Sequence, residues 1–136
     1  MAQDFALDII QLHGHESAKY IEALHDHIIV KGNSHDLDIC HSYDGLVDYL
    51  LFDTKCKTTG GSGRHFDWTM LDQYDGTTPF LLSGGIGPDD AERLKTLHHP
   101  MLAGIDLNSR FETAPAHKDI ALLRRFLNSQ FFSLNP

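Results

Sequence analysis

The sequence predicts an α/β fold in which five βα units follow one another in a single domain. Short runs of nearly continuous apolar residues alternate along the chain with segments whose apolar residues recur at helical spacing. Strands of that kind are typical of a parallel sheet that is covered on at least one face. The hydrophobic share of 41% and the charged share of 22% fit one globular domain of 136 residues.

The five predicted strands are the apolar runs, and each ends on glycine or on polar residues. They span residues 7–14, 27–32, 47–55, 78–85 and 101–109. The predicted helices span residues 16–26, 35–45, 67–76, 87–97 and 118–132. Ser17 is the candidate N-cap of the first helix. The side chains expected to face inward are Tyr20, Ile21 and Leu24 on the first helix and Ile120, Leu123, Phe126 and Leu127 on the last.

Charge and composition exclude several classes of partner. The formal net charge is −8 and the basic residues are scattered, which argues against nucleic acid or an anionic membrane. No run approaches the roughly 20 apolar residues of a membrane span. The first residues lack a basic signal-peptide region, and Cys40 and Cys56 form no disulfide framework, so we expect a cytoplasmic protein. The ten histidines lack metal-ligand spacing, and no metal is expected.

Polar residues collect where the predicted strands end. Because the carboxyl ends of parallel strands meet at one edge, and ligands of parallel α/β folds bind there, a shared site is expected at this edge. The alternative is that each polar residue merely ends its strand. The residues concerned are His13 and Gly14, Lys31 and Gly32, Asp53 and Lys55, Ser83, Gly84 and Gly85, and Asp106, Asn108 and Ser109.

Two of these strand ends are typical of a phosphate site. Gly84 and Gly85 precede a predicted helix, and Asn108 and Ser109 follow the next strand. Backbone N–H groups in loops of this kind hold phosphate in many barrel enzymes. Alternatively, the two glycines only turn the chain.

Asp53 is a candidate general acid, because a carboxylate at the mouth of an apolar wall is partly desolvated and its pKa should rise. The alternative is a carboxylate paired with Lys31 or Lys55. The glycine-rich segment that follows, with Gly61, Ser62 and Gly63, fits either a mobile flap over the site or a plain surface loop.

The motifs DYLLFDTK, GGSG, FDW, PFLLSGG and GIDLNSRFET, with QLHG near the start, resemble those of phosphoribosylanthranilate isomerase over about residues 4 to 132. The resemblance implies an incomplete (βα)8 TIM-type barrel, in which this chain supplies strands four to eight. It also implies an intramolecular oxidoreductase-type isomerase of tryptophan biosynthesis that needs no cofactor. The reaction is the Amadori rearrangement of N-(5′-phosphoribosyl)anthranilate to the 1-deoxyribulose phosphate.

The same resemblance assigns roles to individual residues. Asp53 matches the family's general acid, which helps to open the ribose ring. The matched phosphate ligands are Gly84, Gly85, Asn108 and Ser109, and the matched pocket positions are Asp106 and His13. Ala116 stands where the family usually has glycine, and Gly32 stands where it has a small apolar residue.

One family feature does not occur in these 136 residues, the KxCG motif with the cysteine that acts as general base. Cys56 would point away from Asp53 on an extended chain and is a poor substitute. We therefore expect the chain to be inactive alone. Its open sheet edges and bare inner wall are expected to drive self-association, pairing with a missing N-terminal piece, or flattening into an open sheet. A non-catalytic phosphate-binding or assembly module, and a different phosphate-binding isomerase or epimerase, are the alternatives.

Overall fold

In a computed structural model, residues 6–34, 37–53 and 68–129 are described. Seven strands are present in this part of the chain: β1 (Ile9–Leu12), β2 (Ile28–Ser34), β3 (Tyr49–Asp53), β4 (Phe80–Ser83), β5 (Leu102–Ile105), β6 (Glu112–Ala114) and β7 (His117–Lys118). The α-helices are α1 (Ala18–Glu22), α2 (Leu37–Ser42), α3 (Ala91–Lys95) and α4 (Ile120–Asn128). Short 3-10 helices cover Trp68–Gln73, Pro88–Asp90 and Ser109–Phe111.

The first five strands form one parallel sheet in the order β1-β2-β3-β4-β5. Each strand pairs with the next one along the chain, and a helix or a 3-10 helix follows each of them. This confirms the predicted α/β class and the five parallel strands. The register places Asp53 of β3 directly beside Ser83 of β4, so the carboxyl ends of these two strands lie side by side.

The two faces of the sheet differ in how well they are covered. Leu50, Phe52, Phe80 and Leu82 are at most 2% exposed and belong to the core beneath the helices. Since successive side chains of a strand point to opposite faces, Leu51 and Leu81 lie on the other face, where they are only half-buried. We call that face the inner face.

The inner face is most open at the amino ends of β1 and β2. Ile9 and Ile28 are register partners on β1 and β2, and they are 55% and 41% exposed. A fully buried side chain of this kind gains roughly 1.5–3 kcal/mol relative to an exposed one. The inner face is therefore the part of the sheet where apolar burial is incomplete.

The predicted helices are shorter in the structure, and some of their inward positions were wrong. Ser17 does cap α1, with its hydroxyl accepting from the Tyr20 backbone N–H. Tyr20 itself is exposed, as are Ile120 and Leu127 on α4. Helix α4 instead packs through Phe126, whose ring meets Phe111 edge-on at 4.9 Å.

Phe111 lies in a segment that the sequence prediction left without structure, between β5 and α4. It belongs to a 3-10 helix that leads into the antiparallel β6–β7 hairpin. Ala116, in the hairpin turn, has a φ of 64°. This left-handed conformation favours glycine, which explains why glycine is usual at this place in the family that the sequence resembles.

No helix in the described part of the chain is both long enough and apolar enough to cross a membrane.

Candidate functional site

A cleft of about 150 Å³ lies at the carboxyl ends of β3, β4 and β5. Sites for whole small molecules are usually in the range of roughly 300–1,000 Å³, so this cleft suits one end of a ligand. It contains the predicted acid and all four predicted phosphate ligands, together with Asp106. The lining residues are Asp53, Ser83, Gly84, Gly85, Ile86, Asp106, Asn108, Ser109 and Arg110.

Asp53 is the last residue of β3 and projects from the inner face of the sheet. Its side chain is exposed, so the expectation of a partly desolvated carboxylate was wrong for this chain as it stands. The physical reason is that the inner face around it is open. Lys55, one of its two candidate partners, lies outside the described residues.

The other candidate partner, Lys31, belongs to a separate group of residues on the helix-covered face of the sheet. Its side chain is 3% exposed and its Nζ lies 3.6 Å from Glu16 Oε2. The ammonium also lies 5.0 Å from the centre of the Tyr43 ring. Lys31 pairs in register with Leu50, so it shares the covered face of the sheet and not the face of Asp53.

Glu16 is held as a carboxylate by these contacts. Burial alone would raise its pKa, but hydrogen bonds from backbone N–H groups, that of Gly14 among them, and the charge of Lys31 outweigh burial and lower the pKa. The Gly14 N–H donates to Glu16 Oε1 at 2.7 Å. The group therefore fixes the loop after β1 and has a structural role at this edge.

The turn after β4 requires both of its glycines. Gly84 and Gly85 have φ values of 89° and 71°, in the left-handed region that residues other than glycine rarely adopt. They turn the chain and line the cleft at the same time, so the two interpretations of this pair are compatible. Beside them, the Ser83 hydroxyl donates to Asp106 Oδ2 at 2.9 Å and fixes that carboxylate at the mouth of the cleft.

Asn108 is positioned by a residue that the sequence analysis did not identify, Lys118 of β7. Lys118 Nζ donates to Asn108 Oδ1 at 2.6 Å and to Glu112 Oε1 at 2.7 Å. The bond from Lys118 lowers the pKa of Glu112, which keeps this partner charged. The β6–β7 hairpin therefore holds the Asn108–Ser109 loop in place.

Arg110 is the second residue of the cleft that sequence reasoning missed. Its guanidinium lies over Gly87, where a Cβ atom would come within 2.9 Å of Arg110 Nε. It also reaches Asp89, with 3.6 Å between Nη2 and Oδ2. Its position in the sequence, directly after the predicted Asn108–Ser109 loop, could have identified Arg110 as a residue of the cleft.

The remaining predicted residues are not part of the cleft as described. His13 follows β1, two strands away from β3, and packs against Gly32, whose added Cβ would lie 2.9 Å from His13 Nδ1. The proposed flap residues Gly61, Ser62 and Gly63 lie outside the described residues. Within the described ranges, no group of three or more His, Cys, Asp or Glu is placed to hold a metal ion.

Comparison with known proteins relates most of the chain to one family. Residues 1–129 match the family model described as N-(5′-phosphoribosyl)anthranilate (PRA) isomerase. A protein of that name from Parabacteroides distasonis is 46% identical over 132 residues, which cover 93% of this chain and 60% of the relative. The protein of the same name from Phocaeicola vulgatus is 45% identical and is covered to 65%. The chain thus spans less than two thirds of the length of these curated relatives.

Solved structures agree on the fold. The crystal structure of phosphoribosyl anthranilate isomerase from Thermus thermophilus superposes with a TM-score of 0.67 at 24% identity, covering 94% of this chain and 64% of that one. The N-(5′-phosphoribosyl)anthranilate isomerase structure from Pyrococcus furiosus gives a TM-score of 0.70 at 18% identity, covering 93% and 64%.

Proposed function

The chain belongs to the N-(5′-phosphoribosyl)anthranilate isomerase family, and from that premise we propose that it carries the acid and the phosphate site of such an enzyme. The proposed substrate is N-(5′-phosphoribosyl)anthranilate, and the product is the 1-deoxyribulose phosphate made by Amadori rearrangement. The step is an intramolecular oxidation and reduction within tryptophan biosynthesis, and it needs no cofactor. The family assignment favours this function over a non-catalytic phosphate-binding module.

One observation supports the proposal most: Asp53 and the two loops after β4 and β5 line the same cleft. The Gly84–Gly85 turn and the Asn108–Ser109 loop bind the phosphate end of the substrate. Asp53, on the neighbouring strand, reaches the sugar and donates a proton to the ring oxygen as the bond between that oxygen and C1 breaks. Asp106 faces the sugar hydroxyls, since a carboxylate repels phosphate.

The second proton transfer, removal of the C2 proton by a base, requires a residue that we do not place in the cleft. Cys40 is fully buried on α2 and cannot reach substrate. Cys56 lies outside the described residues, and the 136 residues contain no KxCG sequence. We propose that the five strands correspond to strands four to eight of an eight-stranded barrel, and that the base comes from an N-terminal piece outside these 136 residues.

The open inner face fits this arrangement. Ile9 and Ile28 expose apolar surface where further strands of a barrel would pack. The proposed partners are therefore the phosphorylated substrate and either a second copy of the chain or a polypeptide that completes the barrel. Because a phosphorylated sugar does not cross membranes, the proposed location is the cytoplasm.

Turnover of N-(5′-phosphoribosyl)anthranilate tests the proposal. The chain is assayed alone, then mixed with a polypeptide that carries the three missing strands and the KxCG cysteine. We expect activity only in the mixture, and a loss of at least a hundredfold in kcat for Asp53→Asn, as for the removal of a general acid. Asp72→Asn, another exposed carboxylate change, is the control. Activity of the mixture that survives in Asp53→Asn would contradict the assignment of the acid.

A further inference from the structure

The cleft presents a charge problem if it binds phosphate. A phosphomonoester carries a charge of about −1.5 to −2 at neutral pH. Asp53 and Asp106 both line the same cleft and both are exposed. Backbone N–H groups can donate hydrogen bonds to the phosphate oxygens, but the nearby Asp106 carboxylate opposes the charge of the phosphate. Among the described residues that line the cleft, Arg110 alone carries a positive charge.

The surroundings of Arg110 leave its guanidinium free to change partner. Its contact with Asp89 is long, 3.6 Å, and the two side chains are 45% and 92% exposed. Exposed ion pairs of this kind contribute little to stability. The guanidinium also lies close to Gly87, where an added Cβ would come within 3.0 Å of it. Arg110 is therefore held beside the cleft by one steric contact and one weak ion pair.

We propose that Arg110 is a phosphate-binding residue of this cleft, which exchanges Asp89 for the phosphate oxygens when the ligand enters. A guanidinium offers several N–H donors in one plane and binds phosphate through two of them at once. The phosphate dianion is a stronger partner than the solvated Asp89 carboxylate. The inference rests on the proposed function, because it presupposes that phosphate occupies this cleft.

Calorimetric titration of the 136-residue chain with inorganic phosphate at low ionic strength tests the proposal. We expect Arg110→Gln to weaken binding about tenfold, as for the loss of a charge-assisted hydrogen bond. Arg110→Lys should recover part of the affinity, because charge remains but the planar donors do not. The control is Arg124→Gln, an exposed arginine on α4 with the same change in net charge. Circular dichroism and thermal melting show whether each variant is folded.

A double-mutant cycle separates a direct contact from general electrostatics. Asp89→Asn removes the competing carboxylate and should tighten phosphate binding, and this gain should vanish when Arg110→Gln is also present. Equal effects of Asp89→Asn with and without Arg110, or equal losses for Arg110→Gln and Arg124→Gln, would overturn the role of Arg110 and leave the phosphate cleft intact. No phosphate binding by the unaltered chain would overturn both proposals.

Discussion

Asn108 is one of the proposed phosphate ligands, and Lys118 determines where its side chain points. The Lys118 ammonium donates hydrogen bonds to both Asn108 Oδ1 and Glu112 Oε1. It therefore links a loop residue to the strand that follows that loop. Lys118→Met keeps most of the side-chain volume and removes both bonds. We expect a severalfold weaker affinity for inorganic phosphate and a rise in the pKa of Glu112, measured by calorimetry and by carboxyl NMR titration.

The matched control for this prediction is Lys95→Met. Lys95 makes an equally short bond to a carboxylate, 2.6 Å to Glu92 Oε1, but it lies on α3 outside the cleft. Loss of phosphate affinity in both variants to the same degree would show an effect of net charge and not of Asn108 positioning.

At the scale of single residues, the sequence predicts what depends on strand direction and misses what depends on loop geometry. Asp53 and Gly85 could be placed at one edge because parallel strands end on the same side. Lys118 could not, since it contacts Asn108 from a hairpin whose path is set by tertiary contacts. Lys31 was a candidate partner of Asp53, but it lies on the opposite face of the sheet. The side-chain face changes with each residue along a strand, so a sequence that leaves the register open does not show which residues share a face.

At the scale of elements, Asp44 connects the loop after α2 to the segment that enters β4. Its carboxylate accepts from the backbone N–H groups of Thr77 and Thr78 at 2.9 Å and 2.7 Å. Tyr74 adds a hydroxyl contact to the same carboxylate at 3.4 Å and donates to the Thr78 carbonyl at 2.8 Å. This network fixes where β4 begins beside β3, and with it the position of the Ser83–Gly85 turn.

The network predicts a stability change in acid. Burial alone would raise the pKa of Asp44, but hydrogen bonds from Thr78 and Thr77 lower it from 3.8 to about 2. A lowered folded pKa stabilises the fold above pH 3.8 and loses this effect as pH falls toward 2. A pKa shift of one unit corresponds to about 1.4 kcal/mol, so the Asp44 carboxylate contributes about 2 kcal/mol to the free energy of unfolding at neutral pH.

We therefore expect Asp44→Asn to lower the free energy of unfolding by about 1–2 kcal/mol at pH 6, with the difference shrinking as the pH falls from 3.8 toward 2. Urea unfolding across this pH range measures it. Asp72→Asn, on the 3-10 helix before Tyr74, controls for the change in net charge. A difference between the unaltered chain and the Asp44→Asn variant that stays constant from pH 6 to about pH 2.5 would contradict the role given to the carboxylate.

The strands were predictable as elements, and several helices were only partly so. Five short apolar runs, each ended by glycine or polar residues, fit strands better than helices by their length, and all five appear in the sheet. The helical segments are shorter than predicted, and some of their apolar residues, such as Ile120, are exposed within the helix. The β6–β7 hairpin, with two or three residues in each strand, is too short to show any periodicity.

At the scale of the molecule, one face of the sheet is covered by a packed core and the other face is only partly covered. The covered face holds an aromatic cluster in which Phe52 and Phe80 pack edge-on at 4.9 Å. The inner face has no such layer in the described part of the chain, and β1 and β5 are not paired with each other. A parallel sheet normally has both faces covered, so this arrangement calls for a partner.

We expect the chain alone to self-associate through the inner face, and the complementing polypeptide of the turnover test to compete with this. Light scattering at increasing concentration should give masses above that of one chain. Ile9→Thr combined with Ile28→Thr should shift the equilibrium toward the monomer, because threonine keeps the strand preference while it removes apolar surface. Leu46→Thr changes an exposed apolar residue in the α2–β3 loop and should leave the mass unchanged. A monomer that melts cooperatively at every concentration would show that the open inner face is tolerated in water, and would contradict the expected self-association.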